Sequence, residues 1–296
     1  MSRVWLALLL ITFPAVSAQA TIGSKNFTEQ LILGWLISDS LERAGIPVET
    51  RLGLGGSSIA YDALKAGEID LYPEYTGTGI FVLHRQQLAD LPQEIWADSQ
   101  GALEYLREQD SPELTWLCAA PANNAYALAV RREWAEQNQV RDLSELARYL
   151  SEGGQVQLAS DPEFANRPDG LPAFESGYGF QIPRSATRVV GQGSYAAAQA
   201  LAASVGGTNL AAVYATDGII EAFDLLVLAD PKQVLPTYHP AVLVRSDALA
   251  DYPGLEAELC PLFAELDSTT LARLNAQVDL EGQTPQAVAE AYLSER

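Results

Sequence analysis

Residues 53–79 read GLGGSSIAYDALKAGEIDLYPEYTGTG, and this stretch decides the fold. Glycine and serine open the segment IAYDALKA, whose apolar residues recur at helical spacing, and Gly67 supplies the stop. The strand IDLY at 69–72 follows directly, and another strand near 48–54 leads into the glycines. Toward the N-terminus, residues 28–44 (TEQLILGWLISDSLERA) repeat the helical spacing, with Gly45 as stop, after a strand end at Thr21–Gly23. The order is β-α-β-α-β, which predicts a largely parallel sheet covered by helices on both faces.

A second unit of the same kind follows residue 121. AYALAV (125–130), VQLA (156–159), TRVV (187–190) and LAAVY (210–214) read as strands. DLSELARYL (142–150), a segment near 171–178 and YAAAQALAA (195–203) read as helices between them. This unit ends as the first does: a helix with an early tyrosine (Tyr61, Tyr195), a glycine stop, and a strand ending in tyrosine (Tyr72, Tyr214) before a Thr/Gly turn. The strand LLVLAD (225–230) and the segment VLPTYHPAVLVR (234–245) then run into helices near 254–265, 267–276 and 285–294. The last has Thr284 as N-cap and Pro285 at its first position. A chain that builds one α/β lobe, crosses to a second and returns makes a two-lobed clamp, each lobe a mostly parallel sheet flanked by helices. Residues 21–121 and 232–296 are assigned to lobe I and 122–231 to lobe II.

The first twenty residues read as a signal peptide. Arg3 precedes the apolar run VWLALLLITFPAV (4–16), and Ala18-Gln19-Ala20 is a small-x-small cleavage site. That run is shorter than the roughly 20 apolar residues a bilayer span needs, so residues 1–20 are expected to be removed, leaving a freely diffusing periplasmic protein. The chain is acidic, with 18 basic against 38 acidic side chains and a net charge of −20. Such a surface repels nucleic acid and anionic lipid. Cys118 and Cys260 form either a disulfide, which export permits, or two buried thiols. Two Cys and two His (His84, His239), all far apart, match no metal-ligand pattern, and no cofactor is expected. GLGG lacks the Gly-Lys-Ser/Thr ending of a phosphate loop.

In open α/β sheets, ligands bind outside the carboxyl ends of the strands. The loops there carry Ser24-Lys25-Asn26, the stretch YPEYTGTG, Asn123-Asn124-Ala125-Tyr126, SDPEFANRPDG with Arg167, the turn Tyr214–Gly218, and Thr237-Tyr238-His239. Tyrosine recurs, and the cations Lys25 and Arg167 sit among the loops of an acidic protein.

The stretches GSKNFTEQLILG, GLGGSSIAYDALKAGEIDLYPEYTGTG, PANNAYAL, FANRPDGLPAF and YATDGIIEAFDLLVLAD resemble, in order, the glycine betaine/carnitine/choline-binding proteins of ABC osmolyte importers. The resemblance runs from about Thr21 to the C-terminus. It implies the periplasmic-binding-protein clamp, a partner permease in the inner membrane, no enzymatic activity, and a quaternary-ammonium solute held between the lobes of a monomer. It also implies four tyrosines boxing the trimethylammonium group, at Tyr75, Tyr126, Tyr214 and Tyr238. Lys25, Thr78 and Arg167 would hold the ligand carboxylate, with Asn124 near the head group, where some relatives carry Asp.

The chemistry suits these residue types. A quaternary ammonium has no N–H to donate, and its charge is spread over methyl groups. Electron-rich ring faces attract it and bury it, at about 2 kcal/mol per desolvated contact. Arg and Lys satisfy a carboxylate. Each candidate has a plainer alternative: Tyr61 and Tyr72 read as packing, Lys25 as a surface lysine, and Arg167 as a partner of Asp161 or Asp169. Two other classes compete. A dehydratase or lyase would need Glu74 and Asp217 as acid and base, though they more simply cap turns or hold cage residues. A receptor-docking sensor would share every residue named here.

Overall fold

A computed structural model describes residues 19–85, 91–92, 95–96, 98–191 and 193–296. The expected signal peptide therefore lies outside the described residues, except for Gln19 and Ala20. Ala20 already belongs to the first strand, where its N–H donates to the Pro47 carbonyl.

Among the described residues there are ten strands: β1 (Ala20–Gly23), β2 (Val48–Arg51), β3 (Leu71–Tyr75), β4 (Leu114–Ala119), β5 (Tyr126–Arg131), β6 (Leu158–Ser160), β7 (Thr187–Val189), β8 (Leu210–Tyr214), β9 (Leu225–Val227) and β10 (Pro240–Arg245). They make two five-stranded sheets, ordered β2-β1-β3-β10-β4 and β7-β6-β8-β5-β9. In the first, β1 is parallel to β2 and β3, while β10 is antiparallel to β3 and β4. In the second, β6 is parallel to β7 and β8, while β5 is antiparallel to β8 and β9. The two lobes are wired alike. Each contains one reversed strand, the first laid down after the chain crosses from the other lobe, which the expectation of a largely parallel sheet did not include. An apolar run such as PAVLVR alternates identically in either direction, so periodicity carries no sign of the reversal.

Both faces of each sheet are covered. Along β10, Ala241 and Leu243 pack with Tyr72 and Trp116, while Val242 and Val244 pack with Ile22, Leu33 and Leu36. Along β5, Leu128 and Val130 meet Phe164 and Phe174, and Ala129 meets Ala197 and Leu201 on the other side. Helix Thr28–Arg43 buries Ile32, Leu33, Leu36, Ile37 and Leu41 completely and packs against helices Leu255–Ala264, Ser268–Asp279 and Pro285–Glu295. The last of these starts as expected, with the Thr284 hydroxyl accepting from the Ala287 N–H.

Strand β4 and helix Ser99–Asp110, absent from the sequence reading, complete the first lobe. Of the two states open to the cysteines, the bridge is present: Cys118 on β4 is bonded to Cys260 in helix Leu255–Ala264, with Cα atoms 5.5 Å apart. Among the described residues, no helix is long and apolar enough to cross a membrane.

Candidate ligand-binding site

The shared wiring puts tyrosines at equivalent places in the two lobes. β3 ends at Tyr75, which is paired with Pro240 at the start of β10, and Tyr238 stands two residues before that start. β8 ends at Tyr214, which is paired with Tyr126 at the start of β5. Where a parallel strand ends beside the beginning of a reversed one, two rings project from the same edge. The strand-end counterpart of Tyr214 is thus Tyr75 and not Tyr72, because β3 runs three residues beyond the IDLY segment. Tyr72 is fully buried in the core, donating from its hydroxyl to Glu74. Tyr61 donates to Asp110 on the same side of the sheet.

All eight residues singled out from sequence (Lys25, Tyr75, Thr78, Asn124, Tyr126, Arg167, Tyr214 and Tyr238) line one cavity, together with Phe27 and Glu163. Tyr126 stacks on Tyr214 at 5.0 Å between ring centroids and meets Tyr238 edge-on at 6.2 Å. Phe27, not foreseen, stands at 5.5 Å from Tyr214 and 6.3 Å from Tyr75, near-parallel to both. It belongs to the GSKNFTEQ stretch, immediately before helix Thr28–Arg43, so its place beside Lys25 was the available signal. Gly77 matters for the same wall: a Cβ there would come within 2.7 Å of the Tyr238 ring, so only glycine lets that ring lie against the turn. As arranged, these side chains enclose about 20 Å³, room for roughly one water.

Hydrogen bonds fix the rings. Tyr75 donates to Glu29 Oε1 at 2.8 Å and Tyr238 to Asp169 Oδ2 at 2.5 Å. Glu29 is the hub of a buried network, accepting also from Asn124 Nδ2, Thr216 Oγ1 and Asn275 Nδ2 at 2.6–2.8 Å. Thr216 follows β8 of the second lobe and Glu29 belongs to the first helix, so this carboxyl stitches the two lobes together. Burial raises the Glu29 pKa against the lowering effect of these bonds. Burial likewise holds the hydroxyls of Tyr75, Tyr126, Tyr214 and Tyr238 protonated, which keeps the phenols neutral.

Both cations are already paired. Lys25 Nζ lies 2.5 Å from Glu74 Oε1 and 4.7 Å from the centroid of Tyr75. Arg167 grips Asp169 through Nε at 2.9 Å and Nη2 at 2.5 Å, donates from Nη1 to Glu163 Oε2 at 2.9 Å, and lies over Tyr126 with Cζ 5.3 Å from the ring centroid. Asp169 is thus the partner weighed for Arg167, whereas Asp161 caps helix Pro162–Asn166 through the N–H groups of Glu163 and Phe164. Asn124 hydrogen-bonds the Tyr75 side and passes its own N–H to the Tyr238 carbonyl. Thr78 is buried in the turn after β3.

Glu74, inside β3, and Asp217, in the turn after β8, each accept from a strand-end tyrosine. Glu74 accepts from the N–H of Tyr75, and Asp217 accepts from the N–H of Tyr214 at 2.7 Å. Each holds the backbone of a cavity-lining tyrosine. Among the described residues, no group of three His, Cys, Asp or Glu is placed to hold a metal. His239, beside Tyr238, contacts the Ala120 carbonyl.

Asp217 yields a pH prediction. Burial pushes its carboxyl up to about 7, above an ordinary 3.8, despite the Ser194 hydroxyl and the Tyr214 N–H, which lower it. The folded state therefore holds this proton more tightly than the unfolded chain. The stability it contributes is full below about pH 4 and lost as pH rises through 7. Asp217→Asn keeps an acceptor for the Tyr214 N–H and removes the charge, so it should raise Tm at pH 8 and change it little at pH 4. Thermal melts of both proteins across that range check this, and equal melting points at pH 8 would mean that Asp217 ionises without cost.

Two α/β lobes joined by two chain crossings, with an aromatic cavity built at the strand ends of both, define a solute-binding protein of the two-lobed type. Residues 18–295 match the OpuAC family, the substrate binding domain of ABC-type glycine betaine transport systems, and the chain belongs to that family. It is 39% identical over 298 residues to the glycine betaine-binding protein YehZ of Escherichia coli, covering 100% of this chain and 96% of that protein. It is 36% identical to a glycine-betaine-binding protein of Pseudomonas aeruginosa, covering 96% and 90%. A crystal structure described as a glycine betaine/carnitine/choline ABC transporter superposes with a TM-score of 0.73 at 25% identity, covering 94% of this chain and 98% of that one. The chain is thus a substrate-binding protein of an ABC importer, which acts outside the cytoplasm.

Proposed function

We propose that this chain captures glycine betaine, or a closely related trimethylammonium solute, in the periplasm and delivers it as a monomer to an inner-membrane ABC permease. Tyr75 and Tyr238, with lobe I (21–121 and 232–296), and Tyr126 and Tyr214, with lobe II (122–231), box the head group. Arg167, Lys25 and Thr78 face the carboxylate, and Asn124 orients Tyr75. Residues 1–20 are the export signal. The observation that carries this reading is the convergence on one cavity of two tyrosines from each lobe, at or just before strand ends. Neither pair alone surrounds a cation, so ligand binding favours the closed arrangement of the lobes. The two carboxylates that an enzyme would need hold cage-tyrosine N–H groups instead, which supports binding without turnover.

Calorimetry of the mature protein against glycine betaine, carnitine, choline and free amino acids tests this proposal. Quaternary ammonium solutes should bind and be recovered chemically unchanged, with compaction in small-angle scattering. Binding of amino acids alone would sink the cage, and turnover would move the protein among the enzymes.

A further inference from the structure

We infer that Glu163 is a built-in competitor for the ligand's carboxylate, and that it sets how strongly the site discriminates zwitterionic betaines from simple quaternary cations; this rests on the ligand class proposed above. Asp169 takes the Nε–Nη2 edge of Arg167. That leaves Nη1 as the guanidinium nitrogen turned away from Asp169, and Glu163 Oε2 holds it at 2.9 Å. Glu163 lines the same cavity as the four tyrosines. Its other oxygen reaches across to the opposite lobe, where Oε1 accepts from the N–H of Ser57 at 3.1 Å, at the start of helix Ser57–Lys65. The approach is close: a Cβ on Gly56 would come within 2.2 Å of that oxygen.

Glu163 therefore makes the contacts that an incoming carboxylate seeks: a guanidinium, and the Ser57 N–H at a helix start. Although burial opposes it, the charges of Arg167 and Lys25 keep Glu163 ionised, with its pKa below the ordinary value. A betaine must lift Glu163 from Nη1 before its own carboxylate can bind there. Choline makes no such demand, since it brings no carboxylate to Nη1.

The test is Glu163→Gln. The amide oxygen can still accept from Ser57, so the contact between lobes survives, but the charge on Nη1 is gone. Glycine betaine affinity should rise about tenfold, as expected for freeing one charge-assisted contact, while choline affinity stays level. Glu163→Ala, measured with its melting temperature, checks that the effect follows the carboxylate and not the fold, and should shift the betaine-to-choline ratio the same way. Wild type binding both solutes, with a ratio unmoved or moved toward choline in either variant, overturns the competitor role alone. Wild type binding no quaternary ammonium overturns both this inference and the proposed function.

Discussion

Alanine at Tyr126 should weaken glycine betaine binding roughly 30-fold, about 2 kcal/mol, the worth of a desolvated cation–π face. Of the four rings this one has the most aromatic company. It stacks on Tyr214, meets Tyr238 and Phe164 edge-on, and carries the Arg167 guanidinium on its face. Truncation removes one wall of the box and loosens two others. The phenylalanine variants separate ring from hydroxyl. Tyr126 and Tyr214 hydroxyls are 3.5 Å apart, a weak link, so Tyr126→Phe should change affinity by less than about threefold. Tyr75→Phe should cost more, because its hydroxyl donates to buried Glu29. Titrations of the three variants, each at a temperature where melts show it folded, provide the check. Tyr126→Ala within twofold of wild type would remove that ring from the site.

Lys25→Met should be as damaging to the fold as to binding. Glu74 is completely buried and Lys25 nearly so. Without the ammonium, the carboxylate keeps only the Tyr72 hydroxyl and the Tyr75 N–H. Stranding one member of a buried pair costs about 3–5 kcal/mol, roughly 6–20 °C in Tm at 2–4 °C per kcal/mol. Adding Glu74→Gln should restore most of that loss, since the double variant leaves no charge behind. A lysine serving the ligand alone would predict the opposite: an unchanged melting point in the single variant and no rescue in the double. Thermal melts of both variants without ligand decide between them.

The sequence was informative where function depends on local order. Helices 28–43 and 57–65 announce themselves by spacing and a glycine stop, and strand-end loops are where the cavity lining comes from. What could not be read depends on segments far apart in the chain. Glu163 acquires its part only when helix Pro162–Asn166 approaches Ser57, and Glu29 only when Thr216 and Asn275 reach it. Acidic residues are abundant in this chain, so none of these stood out by type. The echo between units was visible but set three residues short, because β3 continues through Pro73 to Tyr75. Proline lacks a donor, yet it sits inside β3 opposite Val242. The pairing of Cys118 with Cys260 spans 142 residues and has no local signature.

The placement of β10 imposes an order of assembly. It lies between β3 and β4, so the first sheet cannot be completed until residues 240–245 have emerged. The second sheet draws all its strands from 126–227 and meets no such delay. For a chain that appears N-terminus first, the lobe begun second is the first able to finish. Meanwhile β3, whose five residues are all buried in the finished protein, waits with an unpaired edge, the condition under which strands mispair. Cys260 emerges later still, so the Cys118 bridge can form only after the last strand of that sheet has arrived.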